Sequence, residues 1–337
     1  MQRRLVGIIL LLLVVFLWLA SSFLTSDLLN DSDYSKPFFI TYLNTGTFVF
    51  YLIPWYFKRR KAEKRRLTSD VHLYESVRSE NDPFQANPPP LTEKLDVKHT
   101  AYLSAGFCVL WFSANYFSNA SLGYTNVASF TIISSLSGFF TLGLGAIANV
   151  ERFSVAKFCA LLASVAGVIL VSVQDGKQAD QGVELPTKPI LGDTYALMAA
   201  FLYGCYSVLI KFHVHDEEHI SMHLFFGLVG LFDLLFLWPI MIFLHNAGVE
   251  VFELPSDLAT TVGLSINASI TFVSDYLWVI AMLMTSPLVV TLGMSLSIPL
   301  ALICDILFKD HYTSVSLFIG SFLVFVGFII VNSKVDP

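Results

Sequence analysis

An all-α membrane protein of ten transmembrane helices, arranged as two inverted five-helix repeats, is the fold class that the sequence predicts. Three observations predict it. The 337-residue chain is 55% hydrophobic and only 14% charged, against roughly 25% charged residues in an average soluble domain. It contains ten apolar stretches close to the ~20 residues that carry a helix across a bilayer. It also repeats itself, each half holding five of those stretches. A transmembrane β-barrel is excluded, because its strands alternate polar and apolar residues over short segments.

Hydropathy places the spans at 5–25, 37–57, 100–118, 123–148, 154–173, 191–210, 221–245, 259–282, 287–308 and 314–332. The first follows Met1-Gln2-Arg3-Arg4 and has the outline of a signal peptide. Its apolar run is too long and the next span follows too soon, so it reads as a membrane helix. Ten spans put both termini on one side. With cytosolic termini, 16 Lys and Arg fall on cytosolic segments and only Lys36, Lys177, Lys188 and Lys309 on the other face, which sets the orientation by the positive-inside rule.

The predicted organisation is helices one and two over 1–57, a cytosolic basic and proline-rich disordered loop over 58–98, helices three to five over 99–173, a lumenal linker over 174–190, and the second repeat over 191–337. The loop opens on Lys58-Arg59-Arg60-Lys61 and ends near Pro88-Pro89-Pro90. Its basic cluster anchors topology or meets anionic headgroups. Tyr74-Glu75-Ser76-Val77 has the form of a tyrosine-based sorting signal suited to a vacuole or lysosome.

The repeat is explicit. Shifted by 160, residues 115–171 fall on 275–331 without a gap and with 13 identities in 57 positions, among them Tyr116 on Tyr276, Thr131 on Thr291, Ser135 on Ser295 and Gly167 on Gly327. Shifted by 185, the first two spans fall on the sixth and seventh, where Gly7 meets Gly192 and Pro54 meets Pro239. Agreement at polar and glycine positions is not what shared apolar composition produces. Because five is odd, the two halves cross the membrane in opposite directions, the plan of secondary transporters with a site near the midplane.

Ten helices as two five-helix repeats resemble the drug/metabolite transporter superfamily, the EamA-type fold. The stretches KPFFITYLNT at 36–45, ASFTIISS at 128–135, SDYLW at 274–278 and MSLSIPLA at 294–301 are similar to solute carrier family 35, subfamily F, including its fungal vacuolar-membrane relatives. The resemblance implies a solute transporter and leaves the solute open.

Ionisable groups inside spans are functional candidates. They are Asp233, Asp275 and Asp305, with Lys157 and Lys211 near helix ends. Asp275, whose duplicate is Asn115, reads as a substrate or proton site, or else as a helix-to-helix hydrogen bond. Asp305 is a second candidate for proton coupling. Thr131 with Ser135 and Thr291 with Ser295 form matching hydroxyl pairs on one helix face each, and Pro299 predicts a break in the ninth helix. Tyr42, Asn44, Thr45, Tyr116 and Tyr276 offer further hydrogen bonds and aromatic faces, the latter suited to cationic groups. Lys211 is the one cation placed to meet a phosphate, or it marks the helix end by snorkelling.

The absence of arginine from the spans favours a neutral, zwitterionic or cationic organic metabolite over a phosphorylated one. The expected function is secondary-active or facilitative transport of such a solute across an endomembrane, the vacuolar membrane favoured over the Golgi. A nucleotide-sugar antiporter is one alternative, and a non-transporting sorting or regulatory membrane protein is another. No enzyme motif is present, since Gly143-Leu144-Gly145 lies in an apolar helix with no preceding strand. No cofactor, metal or nucleic-acid partner is expected. The cluster of His213, His215, His219 and His223 reads as a solvated turn, with zinc or pH sensing as the functional alternative.

Overall fold

The computed structural model describes residues 2–31, 36–61, 96–122, 124, 127–179, 189–214, 220–255, 257–297, 300 and 315–333. Every regular element among them is helical. In order these are α1 (Gln2–Asp31), α2 (Pro37–Gly46), a 3₁₀ turn (Thr47–Tyr51) leading into α3 (52–61), α4 (Val97–Leu122), α5 (Val127–Ser134), α6 (Ser137–Ile147) and α7 (Val155–Ala179). The second half holds α8 (Pro189–His213), α9 (Met222–Phe236), α10 (Trp238–Asn246), α11 (Leu258–Met284), α12 (Pro287–Met294) and α13 (Val315–Ser333). Most of the 58–98 loop with its tyrosine signal, residues 215–219, Thr125, Pro299 and Asp305 lie outside the described residues.

Five described segments are long and apolar enough to cross a membrane: Arg3–Ser21, Ser129–Ile147, Ile190–His213, Met222–Asn246 and Leu258–Met284. Val155–Val171 and Phe318–Asn332 are shorter apolar helices. The 26-residue α4 is long, but Ser104, Ser113, Asn115, Ser118 and Asn119 dilute its apolar character. The outer surface carries large exposed apolar side chains such as Phe212, Phe236, Phe243 and Phe322, which a bilayer solvates and water does not.

Several expected spans are interrupted, each for a local reason. Pro239 has no N–H to give, and α9 passes into α10 through Leu237 two residues earlier. At the duplicate position Pro54 follows the 3₁₀ turn after Gly46. In the fourth span the hydroxyls of Ser134 and Ser135 donate to the carbonyls of Thr131 and Ile132 at 3.1 and 2.6 Å. That competition for backbone acceptors bends helices, and α5 ends there. The duplicate break follows Met294, where Ser295 caps α12. The sequence predicts a break in the ninth helix; the matching one in the fourth is an addition from the structure.

The helices pair in a definite order. α1 lies along α11, α4 along α8, and α7 along α13, while the 3₁₀ turn and α2 cross α9. Small residues set these crossings. A Cβ on Gly167 would stand 2.5 Å from the Gly320 carbonyl oxygen, and one on Gly327 would stand 2.8 Å from that of Ala160. A Cβ on Gly230 would stand 2.3 Å from the Val49 nitrogen, and one on Gly227 2.5 Å from Leu52. Backbones this close are typical of membrane helices joined through small residues. Arg4 donates to the Asn332 side chain at 2.8 Å and also to the Asn332 carbonyl. The start of α1 and the end of α13 therefore lie on one face, called here the terminal face.

Gly230→Ala is expected to lower thermal stability in detergent by at least the ~1–3 kcal/mol of core overpacking, because its new methyl meets backbone. Gly143→Ala, where a Cβ meets nothing within 4 Å, should match the parent or exceed it. Equal melting temperatures for the two variants would contradict the crossing.

Candidate functional site

A cluster of packed aromatic rings lies beside one buried carboxylate, and it is called here the aromatic chamber. Asp275 on α11 is 2% exposed, and Trp278 one turn on is fully buried. The Trp18 indole of α1 donates to Ser274 Oγ at 3.2 Å and lies beside the Asp275 carboxyl. Asp275 is close enough to the hydroxyls of Tyr51 and Tyr206 to act on both electrostatically. Tyr51 stacks on Phe272 at 4.0 Å and on Tyr276 at 5.0 Å. On the other side Tyr206 meets Trp278, Trp111 and Tyr203 edge-on at 5.1 to 5.7 Å. Aromatic walls beside an anion favour a cation, with each ring contributing about 0.5–2 kcal/mol.

Beside this box lie buried polar groups that meet one another. Among the described residues the hydroxyls of Tyr203 and Ser207 and the indole nitrogen of Trp278 are buried with no well-formed hydrogen bond. Ser207, Trp278 and Thr291 all lie against the Tyr203 hydroxyl. A poorly satisfied buried polar group costs about 1–3 kcal/mol, which makes this cluster a candidate for contact with a solute.

The predicted site residues divide into three groups. Asp275, Tyr276 and Thr291 join the chamber; Tyr276 Oη pairs with His223 Nδ1 at 3.4 Å, and Thr291 Oγ1 lies 3.5 Å from Thr141 Oγ1 while donating to the Pro287 carbonyl at 2.7 Å. A second group lies along α2 and its neighbours. Tyr42 donates to the Leu234 carbonyl at 3.4 Å, Thr45 is buried, the Asn44 carbonyl accepts from Thr47, and Tyr116 packs edge-on against Phe38 at 5.9 Å. The third group stands at helix breaks or bonds back to its own helix. Asn115 Nδ2 donates to the Trp111 carbonyl at 2.9 Å, Ser135 to Ile132 within its own bend, Thr131 gives its carbonyl to Ser134, and Ser295 ends α12.

Lys211 is also committed, since its ammonium donates to the Leu283 carbonyl at 2.7 Å. It holds the last turn of α11, where a cation meets the negative end of the helix dipole. Sequence reasoning missed Trp18, Tyr51, Trp111, Tyr203, Tyr206, Ser207 and Trp278, although Trp278 stands inside the quoted stretch at 274–278. Their signal was aromatic and hydroxyl residues one turn apart on α8 and α11. His223 turns inward to Tyr276 and Tyr51, whereas His213 meets the Leu209 carbonyl of its own helix, so the two do not share a face.

Near the Lys211 contact the structure adds a pair that the sequence did not single out. Lys157 and Glu151 are buried and 3.0 Å apart. Glu151 also accepts the Leu288 amide at 3.3 Å, at the start of α12, and Lys157 donates to the Arg152 carbonyl. A buried pair loses about 3–5 kcal/mol when one partner is removed. Glu151→Gln should therefore lower thermal stability by about that amount, and adding Lys157→Met should recover most of it. A single variant as stable as the parent would show that the pair is solvated.

Comparison with known proteins places this architecture. The family model of the SLC35F group, solute carrier family 35, matches residues 91–333. An uncharacterised transporter of Schizosaccharomyces pombe is 64% identical over 98% of this chain and 96% of its own. An uncharacterised vacuolar membrane protein of Saccharomyces cerevisiae is 42% identical over 99% of this chain and 91% of its own. A thiamine-repressible mitochondrial transport protein of the same yeast is 39% identical over 98% and 92%. These relatives are membrane transporters and membrane proteins, not enzymes, and the chain belongs to solute carrier family 35, in its SLC35F group.

Proposed function

We propose that the chain moves a small organic solute, cationic or zwitterionic, by alternating access between two inverted five-helix repeats. The observation that carries the solute class is Asp275 buried near Tyr51, Tyr206 and Trp278, with the polar atoms of Tyr203, Ser207 and Trp278 clustered beside it. Lys211, the cation a phosphorylated solute would need, is held by the Leu283 carbonyl at the rim. A nucleotide sugar therefore has no cation waiting in the chamber among the described residues.

The repeat plan is supported by the pairing of the helices. The sequence duplication exchanges α1 with α8 and α4 with α11, and it is α1 with α11 and α4 with α8 that pack together. It likewise exchanges the Gly167 contact on Gly320 with the Gly327 contact on Ala160. The breaks after Ser134 and Met294 are duplicates too. In this plan residues 1–173 and 191–337 are the halves, joined by a lumenal linker, with cytosolic termini by the distribution of Lys and Arg. The vacuolar membrane is the favoured location, on the likeness to the yeast vacuolar membrane protein.

Thermal stabilisation of the protein in liposomes tests the solute class. Choline, thiamine or spermidine at about a hundred times its dissociation constant should add ~2.7 kcal/mol of apparent stability. Asp275→Asn should abolish that shift and Lys211→Met should leave it. Stabilisation by a nucleotide sugar alone, lost in Lys211→Met, would overturn the reading.

A further inference from the structure

A second buried carboxylate lies outside the aromatic chamber. Asp233 on α9 is fully buried, and neither of its oxygens has a hydrogen-bond partner. It stands near the middle of the span Met222–Asn246, one turn before the break at Leu237. Opposite it is Gly46, the last residue of α2 before the 3₁₀ turn; a Cβ there would lie 3.4 Å from Asp233 Oδ2 and 2.9 Å from Leu234. Two interrupted helices that are duplicates of one another thus cross on a single carboxylate. Half-helices broken at mid-membrane around an ionisable group form the ion sites of secondary transporters.

The surroundings identify the ion. Tyr42 of α2 and Cys108 of α4 are the titratable groups close enough to act on Asp233. From the other elements against α9, Tyr51 of the 3₁₀ turn donates to the Phe272 carbonyl, and His245 of α10 accepts the Phe252 amide. On α9 itself His223 meets Tyr276. No described cation pairs with Asp233, the Gly46 backbone lies against its Oδ2, and no group of three or more His, Cys, Asp or Glu side chains among the described residues could hold a metal ion there. A bare carboxylate in such surroundings costs far more than a neutral acid.

We propose that Asp233 is a proton-binding site, loaded while α2 and α9 are packed together and emptied when their crossing opens. On opening, the carboxyl O–H bond breaks, the proton passes to water, and the carboxylate is left hydrated. This supplies a proton to the transport cycle at a place separate from the solute chamber. Its purpose rests on the transporter reading, and its test does not.

Infrared titration of the reconstituted full chain reads the C=O stretch of a protonated carboxylic acid without any solute. At neutral pH the parent should show a band component that Asp233→Asn removes and Asp275→Asn leaves. Gly46→Ser places a hydroxyl donor against Asp233 Oδ2, which favours the charged form, so the component should disappear about one pH unit lower. A spectrum of Asp233→Asn that superimposes on the parent's, or a Gly46→Ser component that titrates with the parent's, would overturn the proposal. Choline stabilisation in the same preparation reports on the chamber separately, so failure of the solute reading leaves this result standing.

Discussion

Pairing polar groups away from bulk water is the constraint on which the rest depends. A chain that presents apolar side chains outward must find partners within itself for its backbone and buried side-chain polar groups. Helices do this for the backbone, and where a helix stops, something else takes over. Serine hydroxyls fill the gaps after α5, Lys211 holds the end of α11, Glu151 covers the start of α12, and Glu250 accepts the amides of Phe38 and Phe39 at 3.0 and 2.9 Å where α2 begins. Among the described residues Arg4 Nε and the hydroxyls of Ser121 and Ser321 stay outside this accounting singly, whereas Tyr203, Ser207 and Trp278 cluster in one place and both oxygens of Asp233 lie in another.

Close approach of backbones is the second consequence. With little hydrophobic driving force between helices already in lipid, packing depends on shape. Glycines at 167, 230, 320 and 327 bring backbone against backbone across the helix crossings, and those at 46 and 227 admit the side chains of Leu234 and Leu52. Such contacts are stiff across the crossing but rely on few side chains. A rocking motion of one proposed half against the other leaves the core of each half intact and changes mainly these seams. The seam at α7 and α13 is related to itself by the sequence duplication, as the proposed repeat plan requires.

The class of the fold was legible because membrane helices announce themselves by length and composition, and the duplication because polar and glycine identities survive where leucines carry no information. Breaks were harder to read. Pro239 and Pro54 were visible as duplicates, yet a bend at Ser135 follows from side chains competing for carbonyls, which depends on rotamers that a sequence does not display. Asp275 was found because a lone carboxylate in a span is costly wherever it sits. The aromatic box escaped notice because Tyr, Trp and Phe are common in spans, and only tertiary packing separates those that line a chamber from those that face lipid. Lys211 shows the reverse case: a cation at a helix end is ambiguous until its acceptor, the Leu283 carbonyl, is known.

Side-chain accessibility at the cluster of Tyr203, Ser207 and Trp278 tests the central claim most directly. In a chain with Cys108, Cys159, Cys205 and Cys304 replaced, Ser207→Cys should react with a small water-borne thiol reagent. Ser207 is fully buried in the structure, and in the proposed alternating-access cycle the site around it opens to a face of the membrane. Saturating choline should slow that reaction severalfold, and Asp275→Asn should remove the protection. A cysteine at 207 that never reacts, or one whose labelling rate is indifferent to organic cations, would contradict a solute chamber between the halves.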